Sequence, residues 1–531
     1  MKKILFIVPT GRYSFGTQIC SPTRLLLMTG YLQQHFPNIE CEIIDMHLWG
    51  IPLNENGEKK LIDRLMNELR SKVNDETIIG FSIMANYEIL HILPMLKQIR
   101  ENFDSPVIIG GYAATTCHKV LLEHCHSLFD AICLGAGELP VLEMFKNFKN
   151  GKVDFAKVPN LVYWEDGIKS TAIIPPLNYD DLPVIDFSLL KGDLEKYNAI
   201  SFSTGRGCAW NCEFCQEKKL YPKFSTRSRK KVEKDMENLC RCTDNKLLNL
   251  SDPLFGLDYR SSKETVETLN SYGFNYQFGS RCDVFPEQLY KDMDGHCKII
   301  FFGFESANPE RLLQMLKTKD PVKYINQMKE QLKRCFENDV FGIVAVIINY
   351  PKNTTEDIRK ILEFSKEVEE IYKNHPTDNG YLYRTYPFYI YYGDYYSTIL
   401  EQLRSEGLTD AYVYPEQYHG IPVPQEIEIE IKNSSRDLNF YDLYSHWENI
   451  YNSSQIWTDK CRDILRGFYG PSLSPIRDNK VEYPELYTDN EKDILDLSNI
   501  IVNLEELNNK YPQLTLKDPR TSFGNPFKKW R

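Results

Sequence analysis

The sequence predicts an α/β protein with two parallel β-sheet units in series, followed by a third region of different character. Three observations support this prediction. Short apolar runs alternate with helical patterns over residues 4–147, and the same alternation returns over residues 199–387. Turn-rich, proline-containing sequence separates the two stretches, and the 531 residues are enough for two or three domains.

Composition and charge exclude several classes of protein. Hydrophobic residues make up 42% of the chain and charged residues 26%, the balance of an ordinary globular protein. The formal net charge is −11 and no basic stripe with interleaved aromatic residues is present, which argues against nucleic acid as the main partner. No apolar run approaches the ~18 residues that a membrane helix needs, and the opening apolar run is too short for a signal peptide. The 14 cysteines are scattered, as reduced thiols are, so we expect a cytoplasmic protein.

The first unit, residues 1–155, is predicted to be an open parallel sheet. Its strands are expected at Ile4–Val8, Cys41–Asp45, Thr77–Ser82, Val107–Ile109 and Ala131–Leu134. Its helices are expected at Arg24–His35, Lys60–Lys72, Glu88–Asn102, Val120–His126 and Pro140–Asn147. Helical crossovers make such a sheet parallel, and its ligands bind beyond the carboxyl ends of the strands.

The loops at those carboxyl ends are rich in glycine and small polar residues. They are Pro9–Thr10, Ser82–Tyr87, Gly110–Ala113 and Gly135–Glu138. Glycine lets the backbone approach a bulky ligand closely, although tight αβ turns use glycine as well. The sequence therefore predicts a ligand site at this edge of the sheet.

A linker at 156–198 leads into the second unit, residues 199–392. Within the linker, residues 160–167 are predicted to form a small hairpin. The strands of the second unit are expected at Ala199–Thr204, Leu247–Ser251, Asn275–Gly279, Ile299–Phe304, Gly342–Ile348 and Tyr381–Pro387. Its helices are expected at Val232–Leu239, Ser262–Tyr272, Pro286–Asp292, Tyr324–Asn338 and Thr355–Tyr372. Six such units predict a partial (β/α)6 barrel, whose chemistry gathers at the carboxyl ends of its strands.

The most specific motif follows the first strand of this barrel. Cys208, Cys212 and Cys215 have C-x3-C-x2-C spacing, with Phe214 before the third cysteine and a Gly-Arg-Gly turn before the first. Iron–sulfur cubanes normally take four cysteine thiolates, so three leave one iron open to bind a substrate. Buried or reactive thiols are the ordinary alternative, but this spacing in a glycine-flanked loop after a strand makes a chance match improbable. Cys240 and Cys242 have no further pair nearby and are interpreted as free thiols.

This motif is identified as the radical S-adenosylmethionine (radical SAM) signature. The resemblance implies that Cys208, Cys212 and Cys215 hold a [4Fe-4S] cluster, whose fourth iron is chelated by SAM. One electron from the cluster then cleaves SAM to methionine and a 5′-deoxyadenosyl radical. Phe214 is expected near the SAM adenine.

Further residues at strand ends of the barrel resemble the SAM-binding positions of the family. Asp252 follows the second strand and is expected on the SAM amino group. Arg281 follows the third strand and is expected on the SAM carboxylate, because a guanidinium pairs with a carboxylate in bidentate fashion. Glu305 and Ser306 close the fourth strand in a "GxES"-like run, with Glu305 expected on the ribose hydroxyls. Each also has an ordinary alternative as a helix cap or a surface ion pair.

The first unit resembles the cobalamin-binding domain of class B radical SAM enzymes, a flavodoxin-like (Rossmann-type) fold. Its "GG" after the fourth strand and "GAGE" after the fifth carry the resemblance, the latter with a mild departure from "GEGE". The residues then expected to cradle the corrin and its nucleotide tail are Pro9, Thr10, Ser82, Asn86, Tyr87, Gly110, Gly111, Tyr112, Gly135, Gly137 and Glu138. His47 lies in a D-x-H-x-x-G run, which supplies a cobalt ligand in other cobalamin proteins. Here the run follows the second strand and not the first, so we expect no histidine on cobalt.

The resemblance covers roughly residues 1–400 and implies a cobalamin-dependent radical SAM methyltransferase. One SAM would methylate cobalamin and a second would give the radical that takes hydrogen from an unactivated carbon. Residues 393–531 are expected to form a mostly helical cap over the substrate pocket, with helices at 440–470 and 490–508. The substrate, a small molecule or a peptide, is not identified, and neither are further catalytic residues. An electron donor such as flavodoxin or ferredoxin is implied.

Three other functions stay open from the sequence. One is a cobalamin-dependent radical SAM cyclase or rearrangement enzyme that transfers no methyl group. The second is a radical SAM enzyme without cobalamin, whose first domain only docks the substrate. The third is a sensor that uses the cluster or corrinoid as a signal. Fold alone does not choose among these functions.

Overall fold

The structure, a computed structural model, describes most of the chain up to residue 391. The described residues are 2–10, 21–51, 55–347, 350, 353–375, 377–386 and 389–391. Beyond them, short pieces are described at 411–412, 417–418, 421–422, 428–431, 433–435, 438–439, 460, 463–464, 468, 476–477 and 480–481.

The first unit is a parallel sheet covered by helices on both faces. Its parallel strands are β1 (Lys3–Val8), β2 (Glu40–Asp45), β3 (Thr77–Ser82), β4 (Val107–Gly110) and β5 (Ala131–Cys133), in the order β2-β1-β3-β4-β5. Its helices are α1 (Thr23–His35), α2 (Glu55–Lys72), α3 (Asn86–Asn102), α4 (Tyr112–Cys125) and α5 (Glu138–Lys146). This is the flavodoxin-like strand order, in which the chain reverses direction across the sheet between β1 and β3. The crevice for a ligand therefore opens above β1 and β3.

The predicted hairpin of the linker extends this sheet. A small hairpin, β6 (Phe148–Lys149) and β7 (Lys152–Val153), comes first. Then β8 (Leu161–Trp164) pairs antiparallel with β5, and β9 (Ile168–Ser170) pairs antiparallel with β8. The sheet thus has seven described strands, two of them contributed by residues 161–170.

The second unit is an open, wholly parallel six-stranded sheet. Its strands, in spatial order, are β10 (Ile200–Phe202), β13 (Leu247–Leu250), β14 (Asn275–Ser280), β15 (Cys297–Glu305), β16 (Phe341–Ile347) and β17 (Tyr381–Tyr386). A short antiparallel pair, β11 (Gly205–Arg206) and β12 (Ser225–Thr226), flanks the loop after β10. Its helices are α6 (Glu217–Leu220), α7 (Arg229–Cys242), α8 (Tyr259–Ser271), α9 (Leu289–Asp292), α10 (Pro309–Gln314), α11 (Pro321–Glu337) and α12 (Thr355–Asn374). The strands lie within two residues of the predicted ones, so the predicted partial barrel is confirmed.

Apolar packing joins the two units. Each face of the first sheet has its own buried cluster, and the largest cluster fills the barrel. That barrel cluster also contains Leu26 and Leu27 of α1, together with Tyr179 and Leu182 of the linker. The linker therefore packs as part of the barrel core and holds α1 against it.

The region after β17 is described only in part. The described strands are β18 (Tyr389–Tyr391), β19 (Ala411–Tyr412), β20 (Gln417–Tyr418), β21 (Ile421–Pro422), β22 (Glu428–Ile431), β23 (Asn433–Ser435), β24 (Leu438–Asn439), β25 (Ile476–Arg477) and β26 (Lys480–Val481). Within the predicted helical cap, the described pieces of 411–439 are therefore strands. Of the helix predicted at 440–470, residues 460, 463, 464 and 468 are described and helical, and 490–508 lies outside the described residues. Among the described helices, none has the length and apolar character to cross a membrane.

Candidate active site

The three-cysteine loop leaves the barrel through an obligatory glycine. Gly207 has φ +76, and a Cβ there would lie 2.2 Å from the carbonyl oxygen of Lys223. Only glycine fits such a position, because any side chain would be both strained and in collision with the backbone. Gly207, which directly precedes the cysteine motif, therefore makes the turn by which the chain enters the three-cysteine loop.

The loop is anchored on the carboxyl ends of later barrel strands. The backbone N–H of Glu213 donates to the carbonyl oxygen of Met315, at 3.1 Å. The hydroxyl of Tyr350, itself buried, donates to Glu213 Oε2 at 2.9 Å. The loop after β10 is thus tied to residues that follow β15 and β16, across the mouth of the barrel.

The donor set of the loop fits an iron–sulfur cluster. Cys208 and Cys212 are half-buried and Cys215 is exposed, so none of the three is sealed in the core. Although Cys215 retains exposed surface, protein atoms crowd its sulfur, and this desolvation together with the nearby Cys212 thiol raises the pKa of the Cys215 thiol to about 11. Iron bound by Cys215 would displace that proton, because thiolate is the form that ligates metal. Among the described residues, no three His, Cys, Asp or Glu side chains converge as the ligands of one metal ion would, whereas ligands of a four-iron cluster bind different irons and lie farther apart.

A buried arginine lies against the loop. The Nη1 of Arg281 is 3.4 Å from Cys212 Sγ, and its guanidinium carbon is 4.7 Å from the centroid of the Trp210 ring. Its Nε and Nη2 donate to the carboxylate of Asp283, at 2.9 and 2.8 Å. The Arg281 guanidinium therefore forms a bidentate ion pair with Asp283 and presents its Nη1 group to a predicted cluster ligand.

Glu305 and Phe214, two predicted SAM residues, are connected by Lys317. The buried Lys317 ammonium donates to Glu305 Oε1 at 2.9 Å and lies 5.8 Å from the centroid of the Phe214 ring. Glu305 has φ +71, a conformation that costs free energy for a residue with a side chain and is concentrated at functional sites. The strain and the buried charge pair at the end of β15 support a ligand site there.

Asp252 and Ser306, the other two predicted SAM residues, hold the backbone of the site. Asp252 accepts hydrogen bonds from the backbone N–H and the hydroxyl of Thr204, each at 2.7 Å. Burial raises the pKa of Asp252 to about 6 despite these bonds. Ser306 Oγ accepts the N–H of Asn308 at 3.0 Å. Contact of any of the five residues with SAM remains a prediction.

The glycine pair after β4 has a structural reason in the first sheet. Gly111 has φ +106, and a Cβ there would lie 2.3 Å from the carbonyl oxygen of Ile83, in the loop after β3. Pro9 and Thr10 follow β1 at the neighbouring position along the edge. Asn86 and Tyr87 begin α3, but their side chains lie outside the described residues. The predicted cobalamin loops therefore share one edge, while their contacts with a corrin remain predictions.

A buried glutamate secures the β3–α3 loop. Glu88 Oε2 accepts the N–H groups of Met84 and Ala85, at 2.7 and 3.3 Å. Just beyond the edge strand β2, His47 Nδ1 lies 2.9 Å from Oδ1 of Asp45, the last residue of that strand. Asp45 Oδ2 accepts the hydroxyl of Tyr197 at 2.9 Å. One ring nitrogen of His47 is thus engaged by Asp45, and the absence of a histidine ligand on cobalt stays a prediction.

Glu88 leads to a pH prediction. Burial raises its pKa to about 7, against the opposing effects of the Met84 N–H and the His47 charge. The folded chain then keeps a proton on Glu88 that the unfolded chain releases near pH 4.5. The free energy of unfolding that this proton contributes is therefore fully present below pH 4.5 and is lost as the pH rises through 7. Replacing Glu88 with Gln should abolish this loss, which amounts to at most about 3 kcal/mol. The thermal midpoint of the wild type should fall relative to Glu88→Gln between pH 5 and 8, and parallel profiles would contradict the assignment.

Two buried polar contacts connect the carboxyl edges of the two units. Arg206 Nη1, in β11, lies 2.6 Å from Glu138 Oε1, at the start of α5, and both side chains are 4% exposed. The hydroxyl of Tyr112, the first residue of α4, donates to Glu217 Oε2, just after the cysteine loop. Glu217 Oε1 in turn accepts the N–H of Gly207 at 3.3 Å. The predicted cobalamin edge and the cysteine loop therefore face each other directly.

Sequence reasoning missed several residues of this site: Arg206, Glu217, Lys317 and Tyr350. Glu217 follows the cysteine motif by only two residues, and Arg206 lies between the two glycines that precede the motif. Closeness to the motif along the chain was therefore the signal that could have identified both residues. Lys317 and Tyr350 are distant in sequence and carry no signal that distinguishes them from surface or core residues. Burial of a charge inside the folded chain is what identifies Lys317.

Comparison with protein families and curated proteins found three relatives of low sequence identity. No protein-family model matches the chain. An uncharacterized methyltransferase of Pyrococcus horikoshii is 27% identical over 338 residues, which span 60% of this chain and 71% of the relative. The hopanoid C-3 methylase of Methylococcus capsulatus is 25% identical over 45% of this chain, and the match spans about half of that relative, 47%. The anaerobic magnesium-protoporphyrin IX monomethyl ester cyclase of Rubrivivax gelatinosus is 22% identical over 73% of this chain and 68% of its own.

Solved structures share the fold. The cobalamin-dependent S-adenosylmethionine radical enzyme OxsB, with aqua-cobalamin bound, matches at a TM-score of 0.63 and 15% identity, over 86% of this chain and 66% of its own. The radical S-adenosylmethionine methyltransferase TsrM from Kitasatospora setae, with cobalamin and a [4Fe-4S] cluster bound, matches at 0.62 and 15% identity, over 85% of this chain and 91% of its own. At such identities the likeness shows the fold alone. With the curated relatives, these matches confirm the predicted resemblance, the fold class and the prediction of an enzyme.

Proposed function

We propose that this chain, which has the fold of the cobalamin-dependent radical SAM enzymes, is a methyltransferase that methylates an unactivated carbon of a small-molecule or peptide substrate. The observation that carries the proposal is the meeting of two edges: the three-cysteine loop faces the carboxyl edge of the flavodoxin-like sheet across buried polar contacts. Cofactors carry the difficult chemistry in such enzymes, and the protein positions them and excludes competing reactions.

The residues divide between the proposed cofactors as follows. Cys208, Cys212 and Cys215 would hold a [4Fe-4S] cluster, and the residues that would surround SAM are Phe214, Asp252, Glu305, Ser306 and Lys317. The loops after β1, β3, β4 and β5 would hold cobalamin. When bound, these groups would supply one-electron cleavage of SAM and a methyl group for transfer.

The chain's own residues would exclude water from the space between the two cofactor sites. Ala136, Leu220 and Tyr221 form a small buried apolar cluster at the junction of the two edges, with Tyr112 packed against it. Arg206 is buried between Tyr179 and Tyr221, with ring centroids 4.4 and 5.1 Å from its guanidinium carbon. A buried apolar junction of this kind would exclude water and so protect a reactive intermediate from side reactions.

The electron donor and the compartment belong to the same proposal. The twelve described cysteines are all free thiols, as expected of a reducing compartment such as the cytoplasm. The electron donor would be a small redox protein such as flavodoxin or ferredoxin, as the resemblance implies.

The first test is purification under anaerobic conditions followed by visible spectroscopy. We expect the wild-type protein to retain cobalamin and, after reconstitution, to show the absorbance of a [4Fe-4S] cluster. Addition of SAM and a reductant should then give 5′-deoxyadenosine. A protein with a cluster but no affinity for added cobalamin would favour a cobalamin-free radical SAM enzyme. Failure to cleave SAM under reduction would contradict the proposed enzyme and favour a sensor.

A cyclase or rearrangement activity is the second candidate, favoured by the match to the Rubrivivax cyclase over 73% of this chain. The mass of the product distinguishes the two functions. A methyltransferase adds the mass of one methylene to its substrate, whereas a cyclisation or rearrangement does not. With SAM carrying a labelled methyl group, the label should appear in the product only if a methyl group is transferred.

A further inference from the structure

Arg281 has an environment that differs from the one expected for a SAM ligand. It is 4% exposed, and its donors are directed along the two edges of the guanidinium fork. The side edge, Nε and Nη2, is occupied by the carboxylate of Asp283. On the end edge, Nη2 also donates to the carbonyl oxygen of Lys317 at 2.7 Å, and Nη1 lies 3.4 Å from Cys212 Sγ.

Bidentate capture of a carboxylate needs a free edge with two parallel N–H groups. Both such edges of Arg281 are occupied, since four of its five donors already have partners. The remaining donor, on Nη1, can make at most a single hydrogen bond. The hydrogen-bond partner of Nη1 in this arrangement is the sulfur of Cys212, a predicted cluster ligand.

We propose that Arg281 sets the reduction potential of the iron–sulfur cluster, by holding a permanent positive charge and an N–H donor against the Cys212 sulfur. The inference rests on the proposed function, because it requires a cluster on that sulfur. An arginine is protonated at every pH at which a protein is folded, so its charge is always present. Net charge and hydrogen bonds to the sulfurs are among the properties that set cluster potentials. Positive charge favours the reduced cluster, which carries one more electron.

The surroundings of Arg281 make this charge effective. The Trp210 ring covers its guanidinium at 4.7 Å and the Tyr324 ring at 5.6 Å, which keeps water away. Electrostatic interactions are stronger in such a site than in water. Asp283 is 18% exposed and holds the fork in place, while its negative charge offsets part of the effect.

Two substitutions at this pair should shift the midpoint potential in opposite directions. Arg281→Gln removes the charge, so the midpoint of the cluster, measured by EPR-monitored redox titration without SAM, should become more negative. Asp283→Asn removes the opposing charge and should make the midpoint more positive. Arg281→Lys keeps the charge and should lie between the wild type and Arg281→Gln. In each variant the SAM affinity of the oxidised protein, measured by calorimetry, should stay within about tenfold of the wild type.

The outcomes separate this inference from the proposed function. An unchanged midpoint in Arg281→Gln, with a larger loss of SAM affinity, would make Arg281 a SAM ligand and overturn the inference. If the Arg281→Gln variant assembles no cluster, the test depends on Asp283→Asn. A more positive midpoint potential in that variant supports the inference, and an unchanged midpoint potential overturns it. A wild-type protein without any cluster would remove the proposed function itself.

Discussion

Replacing Cys208, Cys212 and Cys215 together with alanine should abolish iron binding and the formation of 5′-deoxyadenosine. Thiolate is the ligand in iron–sulfur clusters, and alanine offers no donor atom in its place. Iron and sulfide analysis after anaerobic reconstitution, with the visible spectrum, measures the first loss. Chromatography of the SAM cleavage products measures the second, which should fall to the level of a reaction without enzyme.

A matched control is available on α7. Cys240 and Cys242 are half-buried thiols spaced as C-x-C and lie on a helix apart from the cysteine loop. A Cys240→Ala/Cys242→Ala variant removes a comparable number of accessible thiols, and its iron content and SAM cleavage should equal those of the wild type. Cluster absorbance that survives in the triple variant, or is lost in this control, would refute the assignment of the ligands.

Much of the fold was predictable because strands are short apolar runs bounded by turns. All eleven parallel strands of the two sheets were predicted close to their observed bounds, whereas some helix starts were not. The start of α4 was predicted eight residues late, since Tyr112–Lys119 has no clear apolar period and the helix begins directly after the turn at Gly111. The pairing of β8 with β5 was also missed, because a local pattern specifies a hairpin but not the strand beside it.

The site was predictable to the extent that its chemistry depends on spacing. Three cysteines within eight residues are close together in any fold, so their spacing alone identifies the motif. Gly207 before them indicates a turn that only glycine can adopt. The partners of those residues are a different case. Lys317 and Asp283 are common charged residues in the sequence, and only the fold brings Lys317 beside Phe214 and buries its charge. Arg281 was predicted as a site residue from its place after a strand, but its contact with Cys212 is visible only in the fold.

Replacing Glu138 with alanine should strongly loosen the junction between the two units. The change leaves the Arg206 charge buried without its carboxylate partner, because the guanidinium is 4% exposed and enclosed by Tyr179 and Tyr221. Removing one partner of a buried ion pair typically costs about 3–5 kcal/mol. A chain of this size need not unfold in one step, so amide hydrogen exchange is the suitable measurement. Exchange at 205–207 and 135–141 should become roughly 10²- to 10⁴-fold faster, in line with that cost.

A double variant distinguishes the cost of an unpaired buried charge from the simple loss of the contact between Glu138 and Arg206. In a Glu138→Leu/Arg206→Met variant no charge is left buried, and the methionine can still pack between the two tyrosine rings. Apolar replacement of a buried ion pair is often neutral or stabilising, so this double variant should regain most of the protection that Glu138→Ala loses. Arg206→Met alone leaves the Glu138 carboxylate unpaired and should exchange about as fast as Glu138→Ala. If Glu138→Ala exchanges like the wild type, the pair does not hold the two edges together, and their alignment must depend on Tyr112, Glu217 and the apolar cluster beside them.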